Sequence, residues 1–152
     1  MEQLPDTTTS SGQIDRLASE MLKLPQVELP TDHFFADGMY ARAVYRPAGA
    51  VIVGRVHKRE HLYIIMSGCV DVTTLDGAVV RHTAPAVIVS QPGTQRVVYA
   101  VTDSLCMTVH RTDKTDLSEI EEELVEPSKY GVFDAHNKLT AQYREQQLEV
   151  KQ

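Results

Sequence analysis

The stretch that most restricts what this chain can fold into runs from Pro47 to Gly68, PAGAVIVGRVHKREHLYIIMSG. Turn residues bound it at both ends, Pro47 to Gly49 and Ser67 to Gly68, and the Val, Ile and Tyr between them favour a pleated backbone. It reads as two antiparallel strands with a histidine pair, His57 and His61, near their junction. The same punctuation continues on either side. From Asp32 to Arg111 turn signals recur at Asp37-Gly38, Pro47 to Gly49, Ser67-Gly68, Asp76-Gly77, Ala84-Pro85, Pro92-Gly93 and Thr102 to Ser104. Between them lie the runs MYARAVY, AVIVGRV, LYIIM, CVDVTT, AVVRHT, AVIVS, RVVYAV and LCMTVH. About eight short strands without intervening helices predict an all-β sandwich or barrel. Leu62, Ile64 and Met66 alternate with Tyr63 and Ile65, so that run is apolar on both faces. Its outer face is therefore expected to be covered by the terminal helices or by a second subunit.

With 152 residues, 42% of them hydrophobic, the chain suits one domain with a core of its own. A formal net charge of -6 argues against a general affinity for nucleic acid or an anionic membrane, because no basic patch is available to displace counterions from phosphates. No apolar segment approaches the roughly 18 residues a membrane span requires. The N-terminus, MEQLPDTTTSSG, has neither the basic start nor the apolar middle of a signal peptide, so the expected location is the cytoplasm. Cys69 and Cys106 fall within strand-like runs and read as reduced, buried and inert.

Composition divides the chain into an N-terminal arm and short helix (1–31), a β-rich body (32–111), and an acidic helix with a C-terminal tail (112–152). Residues 1–12 are polar and rich in Thr and Ser, and alone they should be disordered. Ile14, Leu17, Ala18 and Met21 recur at helical spacing after Ser10 or Ser11 as cap, and Pro25 stops the pattern. After Arg111, seven acidic residues lie between Asp113 and Glu126, with Leu117, Ile120 and Leu124 on one side and Asp116 to Glu119 as a capping box. This predicts an amphipathic helix whose apolar stripe packs on the barrel, its acidic face solvated or turned to a basic partner. Beyond Pro127 a marginal helix is expected on Leu139 and Tyr143, and alone it should fray. Tyr40, Val53, Tyr63 and Val98 are expected in the core or at its rim.

His57 and His61 share one side of a straight strand, but at about 3.3 Å per residue their Cα atoms would lie about 13 Å apart. Two imidazoles converge on one ion, about 2.1 Å from each, only if the backbone bends between them. The charged run Lys58, Arg59 and Glu60 suggests such a kink. A third ligand must come from another strand, with His110, His82 or His33 as candidates. His57, Glu60 and His61 also match the H-x-x-E-H protease pattern, whose chemistry needs a helix; the flanking VIVGRV and LYIIM runs make the match accidental. His136 in the tail reads as solvated.

The β-rich body resembles the cupin superfamily, a jelly-roll barrel with two short motifs. The first typically reads Gly, five residues, His-x-His, three or four residues, Glu, six residues, Gly. Here Gly68 matches the closing glycine, His57 the second histidine, His61 the glutamate position, and Arg55 the first histidine position. The second, Pro-x-Gly-x-x-His, is echoed by Gln91-Pro92-Gly93, with Arg96 in the histidine's place. One of four expected ligands is thus matched in kind. Arg55 and Arg96, placed where a cupin keeps ligands, imply positive charge inside the barrel, which disfavours a divalent cation and favours an anion or a carboxylate partner, with Glu60 nearest. A closer resemblance is to small cupin-like proteins of tailed phages, carried by Tyr40, Arg42, Pro47, Gly49, Gly54, His57, His61, Pro92, Gly93, Arg96, Tyr99 and Asp103.

Two readings follow. The favoured one is a phage virion structural protein, a capsid decoration or cement subunit assembled in the host cytoplasm. It needs no cofactor, forms homo-oligomers or binds other virion proteins, and uses its N-terminal arm and C-terminal tail as clamps. The alternative is a metal-dependent cupin enzyme or small-ligand binder in which His57, His61 and His110 hold zinc, iron, manganese or nickel.

Overall fold

The computed structural model describes residues 7–74, 76–128 and 130–150. Its strands are β1 (Thr31–Ala36), β2 (Met39–Arg46), β3 (Val51–Val53), β4 (His61–Ser67), β5 (Cys69–Thr73), β6 (Val79–Thr83), β7 (Ala86–Ser90), β8 (Val97–Ala100) and β9 (Ser104–Arg111). The helices are α1 (Thr7–Met21), α2 (Leu117–Leu124) and α3 (Ala141–Val150). The strands form a five-stranded sheet, β1-β2-β9-β4-β7, and a four-stranded sheet, β3-β8-β5-β6, with every pairing antiparallel. Tyr63, Ile65 and Cys106 from the first sheet meet Val70, Val72 and Val98 from the second, so the core lies between the two layers. This is the expected all-β jelly-roll architecture.

Several details differ from the sequence reading. β3 and β4, read as one antiparallel pair, lie in different sheets: β3 pairs with β8, and β4 with β7 and β9. β3 also stops at Val53, and Gly54 N–H instead donates to the Arg96 carbonyl at 2.9 Å. β1, absent from the expected runs, forms a hairpin with β2 across Asp37-Gly38, where Gly38 has a φ of 75°. α1 starts at Thr7, so Ser10 and Ser11 lie within the helix and the segment to residue 12 is partly helical. The first six residues of the arm lie outside the described residues.

On the outer face of β4 and β7, Leu62, Met66, Val87 and Val89 remain exposed, so the described helices leave open a face that was expected to be covered. Tyr40 and Val98 are buried and Val53 half-buried, as anticipated. Both cysteines are free; Cys106 is buried and Cys69 only half so.

The tail does not stand alone. Glu28 accepts hydrogen bonds from Leu139 N–H at 3.0 Å and Arg144 Nη2 at 2.8 Å, Asn137 Nδ2 donates to Thr31 Oγ1 at 2.8 Å, and Tyr143 of α3 is buried. A surface carboxylate tied to a backbone N–H and a guanidinium adds only modest stability, because water screens it, but it sets where the tail docks.

Gly68, between β4 and β5, sits at a φ of 84°. A Cβ there would run into the Asp103 carbonyl and Ser104 Oγ, and would lie 2.8 Å from Ser104 Cα. Positive φ and backbone collision act together at a turn that joins the two sheets. Gly68→Ala is expected to lower unfolding stability in urea by about 2–4 kcal/mol; a loss under 1 kcal/mol would show that the turn relaxes freely.

Candidate metal centre

Strand alternation and register determine what faces the barrel interior. On the five-stranded sheet, the inward residues of β2 are Tyr40, Arg42, Val44 and Arg46, opposite His110, Thr108, Cys106 and Ser104 of β9. Tyr63 and Ile65 of β4 lie opposite Thr108 and Cys106, and His61 opposite Ser90 of β7. The interior is therefore tiered. One end carries Tyr40, His110, His61 and Ser90; the next tier carries Arg42, Thr108 and Tyr63; below them lie Val44, Cys106 and Ile65.

His57 is on no strand. The segment 54–60 loops between the sheets, and it is held on two sides. His57 N–H donates to the Thr94 carbonyl at 3.2 Å, and Gly93 N–H donates to the His57 carbonyl at 2.7 Å, so the Pro92-Gly93 turn grips the residue. On the other side Lys58 N–H donates to the Leu124 carbonyl at 2.8 Å and Glu126 N–H to the Val56 carbonyl at 2.9 Å. α2 supplies this second grip. Asp116 caps it by accepting from Glu119 N–H at 3.1 Å, and Ile120 and Leu124 are buried against Tyr40. Its acidic face meets basic residues of the same chain: Arg55 with Glu121 at 2.7 Å and Arg59 with Glu123 at 2.8 Å.

The bend brings the imidazoles together. Ring centroids are 4.2 Å apart for His57 and His61, 4.3 Å for His61 and His110, and 5.0 Å for His57 and His110. One nitrogen from each ring can be chosen so that all three lie within 4.8 Å of one another. Of the sequence candidates, the structure unites His57, His61 and His110. It places the others elsewhere: His33 pairs with the Tyr40 hydroxyl at 2.7 Å, and His82 sits on β6 opposite Val70. The H-x-x-E-H residues span a loop and a strand start, not a helix, and Glu60 is exposed.

Burial keeps these rings uncharged. His57 and His110 are lowered to about 3, by burial first and then by each other's neighbourhood: His61 and His110 act on His57, and His61 and Arg42 on His110. His61 is lowered too, chiefly by burial, with Arg96 adding to it. The tautomer of His61 follows from its partner. The Arg59 carbonyl, 3.1 Å from His61 Nδ1, only accepts, so Nδ1 carries the proton and Nε2 keeps its lone pair. His57 Nδ1 and His110 Nε2 share a hydrogen bond at 3.0 Å, and His110 Nδ1 is buried with no partner among the described residues. Neutral imidazoles, a lone pair fixed by the neighbouring backbone and one orphaned ring nitrogen fit a divalent transition ion.

One of the two arginines expected inside lies elsewhere. Arg55 turns to Glu121 on α2 and also reaches the Glu126 carbonyl, so the partner is Glu121 rather than Glu60. Arg96 does lie inside, donating to Ser90 Oγ at 3.1 Å. Sequence reasoning gave no site role to Arg42, Arg46 or Tyr63. Arg46 is 7% exposed and donates to the Tyr63 hydroxyl at 2.7 Å. The available signal was the alternation Tyr40, Arg42, Val44, Arg46, which marks one face of β2 without saying which way it points.

Solved structures with a similar fold include KdgF from Halomonas sp., which superposes with a TM-score of 0.51 at 18% identity, over 59% of this chain and 84% of that one. A cupin superfamily protein from Desulfitobacterium hafniense DCB-2 superposes with a TM-score of 0.50 at 11% identity, over 61% and 88%. The fold is a cupin barrel. At these identities the likeness carries the fold alone. No family model matches the sequence, and neither does any curated protein.

The protonation states of these histidines bear on the protein's acid stability when no metal is bound. Well above pH 6.5 the rings are neutral in both folded and unfolded chains, and their contribution is complete. Below it the unfolded chain takes up protons that the fold refuses until about pH 3, so stability falls with pH at up to about 1.4 kcal/mol per unit for each of His57 and His110. Urea titrations of chelator-treated protein between pH 6.5 and 5, above the carboxylate range, are expected to show this slope. Invariant stability across that window would mean that the rings are charged in the fold.

Proposed function

We propose that this protein is a metal-dependent cupin acting on a small molecule, with His57, His61 and His110 as the protein ligands of one divalent transition ion. The observation that carries the reading is the grouping of three uncharged imidazoles, drawn from a loop and two strands, at one end of the barrel. An all-imidazole donor set suits zinc, iron or nickel better than manganese, which prefers oxygen ligands. An ion held there supplies Lewis acidity to an oxygen of the bound molecule. The remaining work belongs to the chain. The Arg59 carbonyl orients His61, and the Pro92-Gly93 turn and α2 fix His57.

This is the alternative among the two sequence readings. The virion role rests on the resemblance to phage proteins, whereas the inward histidines favour a ligand site. The described parts of both termini make contacts with their own subunit, through Glu28 to the tail and Ser19 to Tyr130 at 3.3 Å.

Metal analysis of protein purified without chelator is expected to find about one transition ion per chain. His57→Ala with His61→Ala is expected to lose it while keeping the β circular dichroism of the parent. Wild-type protein that takes up no zinc, iron or nickel on dialysis against each would remove this reading.

A further inference from the structure

The two sheets present different outer faces. On the four-stranded sheet an outward row crosses Val51, Tyr99, Asp71 and Arg81, and it ends in an ion pair, Arg81 Nε to Asp71 Oδ1 at 2.8 Å. On the five-stranded sheet, the residues that alternate with Tyr40, His110, Tyr63 and Ile88 point outward. One outward row crosses all five strands as Phe34, Ala41, Val109, Leu62 and Val89. The row beside it holds Ala43, Met107, Ile64 and Val87. Among the described strand residues that point outward here, charge appears only at the margin, with Asp32 on the edge strand β1 and Arg111 at the end of β9.

Such a face is unfavourable in water. Phe34 is 52% exposed and Val87 62%, Met39, Tyr45 and Met66 are open at its ends, and Ile64, Met107 and Val109 are only half-buried. These exposures amount to about 600 Å², the upper end of what a monomer commonly leaves as one apolar patch. Covering the face with an identical one removes about 1,200 Å² in all, the size at which specific, stable interfaces begin. The described helices do not cover it. α2 packs on Tyr40, on the opposite side of β2, and the tail binds Glu28 and Thr31.

We infer that this face is the contact between two copies of the chain, packed sheet on sheet about a two-fold axis. Sheets stack in this way about 10 Å apart when both facing surfaces are apolar. Charge identifies the occupant. Each copy carries a net charge of -6, so two copies repel over most of their surface, and these rows let them meet without like charges in contact. A basic partner or an anionic surface finds no counter-charge in either row. Nor does the centre of the face offer the arginines or hydrogen-bonding groups that orient a transient partner; its uniformly apolar character is that of a permanent interface between like chains. A face that contacts itself closes after two copies and does not propagate. The middle strand, β9, brings Met107 and Val109 nearest the axis. The contact lies on the opposite side of the sheet from the histidines, so it stands whether or not they hold an ion.

The test is sedimentation velocity with light scattering on the full chain across a dilution series. The expected mass is twice the 17.0 kDa of one chain, falling to that of one chain at the lowest concentrations. Phe34→Lys, Leu62→Lys and Val87→Lys each put a charge into the contact and are expected to weaken dimerisation about ten-fold or more. Val79→Lys, at a site 64% exposed on β6 of the other sheet, is expected to leave it unchanged. Where a lysine variant melts early, Val87→Thr with Val89→Thr keeps the shape and strand preference, and a measurable weakening is still expected. A monomer at every concentration would overturn the inference, and if that monomer binds phosphatidylcholine vesicles, the face belongs to lipid. A dimer indifferent to the lysines, or a trimer or larger ring, would overturn it as well. So would loss of the dimer with Val87→Lys but not with Phe34→Lys, which assigns the contact to pairing along the edge of β7.

Discussion

The antiparallel register of β9 between β2 and β4 is the constraint on which the rest of this molecule depends. It sets Tyr40 opposite His110, Arg42 opposite Thr108, and Thr108 opposite Tyr63, so that one face of three strands becomes the wall of the barrel. Side chains alternate with a period of two, and a slip of one residue would turn His110 and Cys106 outward and bring Val109 and Met107 in. The apolar lower tier penalises such a slip. Ile65 and Cys106 are buried against Val70, Val72 and Val98, and each buried aliphatic side chain contributes about 1.5–3 kcal/mol. The hydrophobic tier thus holds the polar side chains around it in register.

His57 depends on a different kind of support. It lies outside the ladder, so no strand dictates its position, and the loop that carries it includes Lys58, Arg59 and Glu60, which prefer water. Backbone hydrogen bonds from the Pro92-Gly93 turn and from the end of α2 replace the ladder. The ion pairs of Arg55 and Arg59 with α2 are partly exposed, and each is worth no more than about 1 kcal/mol. Burial of Ile120 and Leu124 on Tyr40 stabilises the helix more than these pairs do, and it explains why an acidic helix packs beside a basic loop rather than swinging free.

Much of the strand content was legible because turn residues and β-branched runs alternate at short intervals, and eight of the nine strands coincide with the expected runs, with small shifts at their ends. The grouping of His57 with His61 followed from the need for a bend, which the charged run between them suggested. What could not be read was direction. MYARAVYR offers one row of Met39, Ala41, Ala43 and Tyr45 and another of Tyr40, Arg42, Val44 and Arg46, and ordinary patterning sends the arginines to solvent. The structure does the reverse: Met39 is 50% exposed, and Arg46 is 7% exposed. Sequence spacing likewise could not place Arg55, because its partner Glu121 lies 66 residues away.

That inverted strand is also the best guide to what the barrel is for. A fold selected for rigidity alone gains nothing by turning guanidiniums and imidazoles inward and leaving Met39, Leu62, Val87 and Val89 on its outer face. Replacing a buried polar group by a well-packed apolar one commonly leaves stability unchanged or improved, so the interior polarity has no structural rationale in the core itself. Most of the inward polar side chains lie at one end, where the loop, the Pro92-Gly93 turn and α2 converge; the tier of Val44, Cys106 and Ile65 follows, with Arg46 and Ser104 beyond it. Buried ring and guanidinium nitrogens without a partner occur at His110 and Arg46, on this inward face, the pattern expected when a site's chemistry, rather than its packing, governs the choice of residues.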